Sequence, residues 1–240
     1  MMKEYLIVFC KHSRSYNIIY IFMKKLLLSS LVATSIVALA YTQVDVDNAN
    51  FLAEKNVITK QTDEKLYRLD STITRAEAVG IALKFKGIEL PEGYVCKKYF
   101  SDVVNNDWIC RAVEIAADMG FVSRSNTTYR PQANITRAES LAMIYQASNL
   151  EAKLPADWQA KLEAKLAQEQ INLFYLPSWQ GTLIKKSYFL GIIDKTSLSL
   201  LRGGIHNFGE NWNATRADVF KLTRNTYNVR ALMSGEVTVQ

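Results

Sequence analysis

Three arginines lie where their charge could bind an anion. Arg75, Arg137 and Arg216 each follow a threonine and precede Ala-Glu or Ala-Asp, so nearly the same tetrapeptide occurs three times in the chain. A guanidinium binds oxyanions through paired hydrogen bonds, and the first turn of a helix offers free backbone N–H groups to the same ligand. A cation opposes the positive end of the helix dipole, so helix capping alone does not explain the arginine. The pattern favours three anion-binding sites. Pairing of each arginine with a neighbouring carboxylate is the alternative.

The threonine and the acidic residue of the tetrapeptide predict the start of a helix. In a capping box, the threonine hydroxyl accepts a hydrogen bond from the N–H three residues on, and the acidic side chain there reaches back to the threonine N–H. The three predicted boxes pair Thr74 with Glu77, Thr136 with Glu139, and Thr215 with Asp218. Loss of such a cap costs about 1 kcal/mol.

An aromatic residue precedes each tetrapeptide at a constant interval, which indicates a longer repeat. These aromatics are Tyr67, Tyr129 and Phe208. For them, and for Trp108 and Trp179, a place in the core is favoured over stacking on a sugar.

The second repeat resembles an S-layer homology repeat over some fifty residues. The matching residues are Phe100, Asp102, Val103, Trp108, Ala112, Val113, Gly120, Phe121, Tyr129, Pro131 and Ile135–Glu139. The first repeat departs by having no tryptophan and by Leu69 in place of the proline, and the third by a longer loop after Ile193 and by Asp218 in place of glutamate.

The resemblance implies an all-α fold of three short helical repeats in a pseudo-threefold arrangement, with grooves between neighbours. It also implies that Arg75, Arg137 and Arg216 line grooves that hold an anionic wall polysaccharide, often one carrying pyruvate ketals. Asp102 and Trp108 are further candidate ligand-binding residues. Asp102 has an equally weighted alternative, capping of the helix that begins near Trp108.

The amino-terminal segment is typical of a secretory signal peptide. Lys24 and Lys25 precede an apolar run that ends in Ala38-Leu39-Ala40, so the exported form is expected to begin at Tyr41. An uncleaved anchor is the alternative. The predicted organisation comprises an upstream extension over 1–22, a signal peptide over 23–40, repeats over 44–90, 96–148 and 177–230, a connector helix within 149–176, and a tail over 231–240.

The net charge argues against nucleic acid as a partner. The chain has 29 basic and 23 acidic residues, but five of the basic and one of the acidic residues lie in segment 1–40, which leaves a net +2 for the remainder. A charge this small gives no broad basic surface. Recognition of an anion must therefore be local.

Cys96 and Cys110 form an even pair outside the leader, which carries the third cysteine, Cys10. Such a pair predicts a disulfide in an oxidising compartment, and two buried free thiols are the alternative. A metal site is not expected, since His206 is the only histidine outside the leader and is distant in sequence.

These observations predict an exported protein of the cell envelope, located at the cell wall, S-layer or cell surface. Its expected function is non-covalent binding of secondary cell-wall polysaccharide or peptidoglycan. No catalytic constellation, cofactor, nucleic-acid partner or membrane contact after signal cleavage is expected. A structural or adaptor protein, whose repeats pack against envelope proteins, is the alternative.

Overall fold

The computed structural model describes residues 41–103, 108–171, 178–195 and 212–235. Within these ranges the structure consists of seven α-helices and two 3₁₀ turns, which confirms the predicted all-α fold. The α-helices are α1 Gln43–Glu54, α2 Arg75–Lys86, α3 Trp108–Asp118, α4 Arg137–Ser148, α5 Trp158–Glu169, α6 Ser178–Leu190 and α7 Arg216–Ser234. The 3₁₀ turns are Glu64–Tyr67 and Leu150–Lys153. None of the helices in the described ranges is both long and apolar enough to cross a bilayer.

Two helix boundaries extend what the sequence predicted. Helix α1 begins at Gln43, where Thr42 and Asp45 form a capping box that was not predicted. Helix α7 continues to Ser234, so the first residues of the predicted tail are helical. Buried Val229 extends the inward face of this helix, which explains why it continues. The predicted leader, Cys10, His206 and Phe208 lie outside the described residues.

The three predicted capping boxes are present, and they start helices α2, α4 and α7. The hydroxyls of Thr74, Thr136 and Thr215 accept hydrogen bonds of 3.1–3.2 Å from the N–H groups three residues on. The acidic side chains Glu77, Glu139 and Asp218 accept the threonine N–H groups at 2.9–3.0 Å. Two of the unpaired N–H groups at each helix start are thereby satisfied.

The residues just before these boxes close a ring of backbone hydrogen bonds. Ile135 donates its N–H to the carbonyl of Ile73 (3.0 Å), Ala214 donates to Ile135 (2.8 Å), and Ile73 donates to Ala214 (3.2 Å). All three residues are fully buried. Each repeat thus contributes one buried donor and one buried acceptor, as expected of a threefold-like arrangement of α2, α4 and α7.

The aromatic residue ahead of a box lies in the core, as the sequence analysis favoured. Tyr67 and Tyr129 are each 2% exposed. Their hydroxyls donate hydrogen bonds, from Tyr67 to Asn50 Oδ1 at 3.0 Å and from Tyr129 to the Arg75 carbonyl at 2.9 Å. Burial raises the pKa of Tyr129, so this hydroxyl remains protonated as a donor.

Helix α5, within the range predicted for a connector helix, packs through a narrow apolar stripe. Leu162 and Leu166 are buried in a cluster with side chains of α4, α6 and α7. Trp158 is half-buried, with its ring centroid 6.2 Å from that of Phe189 on α6. The connector therefore covers α6 rather than presenting a free apolar face.

Candidate ligand grooves between the repeats

The three arginines form a closed cycle of ion pairs, each reaching the acidic cap of another repeat. Arg75 Nη1 lies 2.5 Å from Glu139 Oε1, and Arg216 Nη1 lies 2.9 Å from Glu77 Oε1. Arg137 Nε lies 3.0 Å from Asp218 Oδ2. This arrangement is the carboxylate pairing that the sequence analysis kept as an alternative.

The first-turn N–H groups are also occupied, which corrects the expectation that they are free for a ligand. The N–H groups of Arg75, Arg137 and Arg216 donate to the carbonyls of Ala133, Trp212 and Ser71, respectively, at 2.9–3.0 Å. The N–H groups of Ala76 and Ala217 donate to Pro131 and Leu69 at 3.0 and 3.1 Å. These helix starts pack against a loop of another repeat. The backbone N–H groups around the arginines therefore hold the repeats together and are not free for a ligand.

Arg75 is held further by the loop that carries Tyr129. Its Nε donates to the Tyr129 carbonyl at 2.9 Å, and its guanidinium lies 4.9 Å from the centroid of the Tyr129 ring. Burial would raise the pKa of its partner Glu139, but the Thr136 backbone N–H and the Arg75 guanidinium outweigh burial and leave that pKa below its ordinary value. Glu139 is therefore ionised in the folded protein at neutral pH.

The Asp102 carboxylate binds the backbone of the loop that carries Tyr129. Its two carboxylate oxygens accept the N–H groups of Tyr129 and Arg130 at 2.8 and 2.7 Å. Asp102 thus fixes the loop that receives Arg75, a third role that the sequence analysis did not consider.

Trp108 lies in a groove between α2 and α3, which we call groove A. Its side chain is 41% exposed, so the predicted core position does not hold for this tryptophan. The indole covers Gly80, where an added Cβ would lie 3.6 Å from Trp108 Cζ3. The groove has a volume of about 880 Å³, and its polar lining includes Lys55, Glu77, Lys84, Glu89 and Arg216.

A second groove, which we call groove B, lies between α4 and α6 and has a volume of about 860 Å³. Trp179 occupies the position of Trp108 and is 52% exposed, so it is not a core residue either. The other lining residues include Met119, Ala142, Gln146, Asn149, Glu151 and Lys186. Arg75 and Glu139 do not belong to the described lining of groove B, whereas Arg216 and Glu77 line groove A.

The third junction, between α7 and α1, has a different surface. Val44 is the counterpart of Trp108 in this repeat. It precedes Asn56, whose backbone is left-handed, by the same number of residues as Trp108 precedes Gly120. Val44 is 61% exposed. At the start of α7, Asp218 pairs with Arg137 of α4. An exposed valine replaces the tryptophan at the junction of α7 and α1, so no exposed indole lies there within the described ranges.

The sulfurs of Cys96 and Cys110 are joined in the structure, which ties the segment before Phe100 to α3, close to Trp108. The disulfide of the exported protein stays a prediction. The carboxylate of Glu114, 1% exposed, lies beside the sulfurs. It accepts the N–H groups of Lys97 and Tyr99 at 2.6 and 3.0 Å.

Sequence reasoning missed the groove residues Lys55, Gly80 and Lys84. They lie outside the motifs, and only the meeting of α1, α2, α3 and α7 brings them together. Comparison of the repeats could have identified Lys84 and Gln146, since each follows its helix-starting threonine by the same interval.

The helical fold, the cyclic closure and the tryptophan-lined grooves define a repeat module of the kind that the sequence resembles. Residues 99–139 match the model of the S-layer homology domain. This match confirms the resemblance at the second repeat.

Several curated proteins are similar to part of the chain. The exoglucanase XynX of Acetivibrio thermocellus is 32% identical over 137 residues, covering 51% of this chain and 12% of the relative. The cellulosome-anchoring protein of the same species is 27% identical, covering 55% of this chain and 29% of the relative. The middle cell wall protein of Brevibacillus brevis is 29% identical, covering 44% and 10%, respectively. The chain thus spans less than a third of the length of each of these relatives.

The S-layer homology domain is a non-catalytic module of cell-surface proteins, which confirms the predicted location at the cell surface. Attachment to the cell wall is the general role of such a module. The signal peptide, the repeat boundaries, the ligand-binding residues and the absence of enzyme activity in the whole protein stay predictions.

Proposed function

We propose that this protein attaches non-covalently to an anionic cell-wall polysaccharide, and that groove A is its principal binding site. The observation that carries the proposal is the convergence of two exposed residues, Trp108 and Lys84, on one open groove. The exposed indole face offers a stacking surface to a sugar ring, while the cations attract carboxylate groups on the polymer.

The charge balance of groove A supports an anionic ligand. Three cations and two carboxylates line it, and the Arg216–Glu77 pair neutralises one of each. Lys84 is exposed and forms no ion pair within the described part of the chain. It is therefore available to a polymer, whereas Arg75, Arg137 and Arg216 are all engaged in closing the ring.

The test compares variants of the full chain in a pull-down with purified wall sacculi, before and after chemical extraction of the secondary polymers. Trp108→Ala and Lys84→Gln are expected to weaken binding to intact sacculi by about tenfold each, since a charge-assisted contact contributes on the order of 1.5–3 kcal/mol. Lys153→Gln, an exposed lysine that lines neither groove, removes the same charge and serves as the matched control. Equal binding by all variants, or undiminished binding to extracted sacculi, would contradict the proposal.

The alternative function is that of an adaptor whose repeats pack against envelope proteins. The internal use of all three arginines favours it, because their charges are already balanced. Failure of the unaltered chain to bind intact sacculi, together with capture of a defined envelope protein, would favour the adaptor.

A further inference from the structure

Grooves A and B are built from equivalent positions that carry different chemical groups. Lys55 and Met119 are equivalent, because each comes directly before the residue with a left-handed backbone that ends its helix, Asn56 or Gly120. Lys84 and Gln146 occupy the same position of α2 and α4, counted from the capping threonine. Lys55 and Lys84 form no ion pair within the described ranges, although the Lys55 ammonium lies over the rings of Phe51 and Tyr227. In groove B a thioether and an amide replace these two cations.

The charges that remain in groove B neutralise each other. Lys186 Nζ lies 2.5 Å from Glu151 Oε1, and the Tyr145 hydroxyl donates to Glu151 Oε2 at 2.9 Å. Burial would raise the pKa of Glu151, but hydrogen bonds from Lys186 and Tyr145 outweigh burial and hold that pKa below its ordinary value. A carboxylate ligand would therefore meet a lysine that already has an anionic partner.

The uncharged groups of groove B suit a different sugar. The Trp179 indole is exposed at one wall, and the amides of Gln146 and Asn149 are exposed at the other. A side-chain amide offers both donors and an acceptor, which complements the hydroxyl and acetamido groups of a sugar. The indole can meanwhile stack on the C–H face of the ring.

We propose that groove B binds an uncharged, N-acetylated sugar, so that the two grooves recognise different parts of a wall glycan. This inference rests on the proposed function in treating the grooves as glycan sites, but it requires no binding in groove A. Groove A selects for negative charge, and groove B selects for amide and hydroxyl groups.

The test follows the tryptophan indole N–H resonances of the full chain by NMR, with each resonance assigned by its loss in the corresponding Trp→Phe variant. The uncharged probe is the N-acetylglucosamine tetrasaccharide, and the charged probe is tetragalacturonate, which carries carboxylates but no acetamido group. The uncharged probe is expected to shift the indole N–H resonance of Trp179 more than that of Trp108. Trp179→Ala is expected to weaken binding of the uncharged probe by about tenfold.

A double variant, Met119→Lys with Gln146→Lys, gives groove B the cations of groove A. Both positions are exposed, so the fold is expected to persist, which a far-ultraviolet circular dichroism melt checks. This variant should bind the charged probe at Trp179 at least about fivefold more tightly than the unaltered chain does. The pair Met119→Gln with Gln146→Asn, which adds no charge, is the control.

The outcomes separate the two proposals. If the uncharged probe shifts Trp179 while the charged probe leaves Trp108 unchanged, the inference stands and charge recognition in groove A fails. If the charged probe shifts Trp179 of the unaltered chain as strongly as the uncharged probe does, or if the uncharged probe shifts Trp108 alone or neither tryptophan, the inference is overturned.

Discussion

At the scale of single residues, the arginine of the repeated tetrapeptide acts first on the fold. The acidic cap has two tasks, since in Glu139 one carboxylate oxygen accepts the Thr136 N–H and the other binds Arg75. Asp218 is one methylene shorter and accepts both the Thr215 N–H and Arg137 Nε on the same oxygen. The start of a helix is thereby coupled to the junction between repeats.

Arg75→Ala is expected to lower the free energy of unfolding by about 1–3 kcal/mol, because it removes a hydrogen bond to Tyr129, an ion pair and a ring contact. Urea unfolding followed by circular dichroism measures the change.

Arg124→Ala is the matched control for Arg75→Ala. Its side chain is 54% exposed and its distance to Asp118 is 3.6 Å, so its loss should cost well under about 1 kcal/mol. Equal effects of the two substitutions would contradict a structural role for the tetrapeptide arginine.

Glu139 predicts a pH dependence of stability. Its folded-state pKa lies below the ordinary value of 4.5, so its contribution is present above pH 4.5 and is lost as pH falls through the folded pKa. Glu139→Gln retains a capping side chain but loses the charge. The variant should be less stable than the unaltered chain at pH 7, and this difference should shrink at pH 3.

Unfolding of both proteins in urea at the two pH values tests this prediction. Asp118 and Glu151, whose pKa values are also lowered, are present in both proteins, so their effects cancel in the comparison. A difference in stability that persists unchanged at pH 3 would count against the ionised role of Glu139.

At the scale of the element, helix α2 has a glycine where its counterpart α4 has an alanine. Gly80 corresponds to Ala142, and a Cβ at Gly80 would make an ordinary contact with Trp108. Gly80→Ala is therefore expected to raise the free energy of unfolding by about 0.5–1 kcal/mol, because alanine loses less backbone entropy in a helix. Thermal and urea melts measure it.

The control lies at the end of the same helix. Gly87 has φ of +82°, a conformation that alanine adopts only with strain, so Gly87→Ala should destabilise although no neighbour obstructs its Cβ. If Gly80→Ala also destabilised the chain, the interior of α2 would be under a packing constraint that these contacts do not explain.

At the scale of the whole described structure, the ring of backbone hydrogen bonds brings distant parts of the chain together. Ile73 bonds to Ala214, and Arg216 reaches Glu77, so the last repeat closes on the first. Such closure needs contacts between residues far apart in sequence, which are entropically costly to form. A covalent link within one repeat offsets part of this cost.

Reduction of the Cys96–Cys110 disulfide is expected to lower the free energy of unfolding by about 3 kcal/mol, because the bond closes a short loop whose entropy the unfolded chain otherwise regains. Urea unfolding with and without reductant tests this. The variant with both cysteines changed to serine should be less stable and should no longer respond to reductant. A response to reductant in that variant would assign the effect to something other than this bond.

The sequence by itself determined the features that depend on local spacing. Thr136 and Glu139 are three residues apart, so their capping box forms within one helical turn, and the aromatic ahead of it was correctly assigned to the core. Trp108 and Asp102 could not be assigned in this way. Trp108 meets Gly80 of another repeat, and Asp102 binds backbone far along its own repeat. Local spacing therefore leaves the same residue types compatible with a core, a cap or a groove.

Only the tertiary structure decided what the arginines contact and how the grooves differ. Arg75 and Glu139 are distant in sequence, and their pairing depends on the cyclic docking of three helix starts, which no spacing along the chain encodes. Lys84 and Gln146 likewise look like ordinary exposed helix residues until neighbouring repeats place a tryptophan beside each. Local hydrogen bonds can be predicted from the order of residues, whereas contacts between repeats depend on the closure of the whole chain.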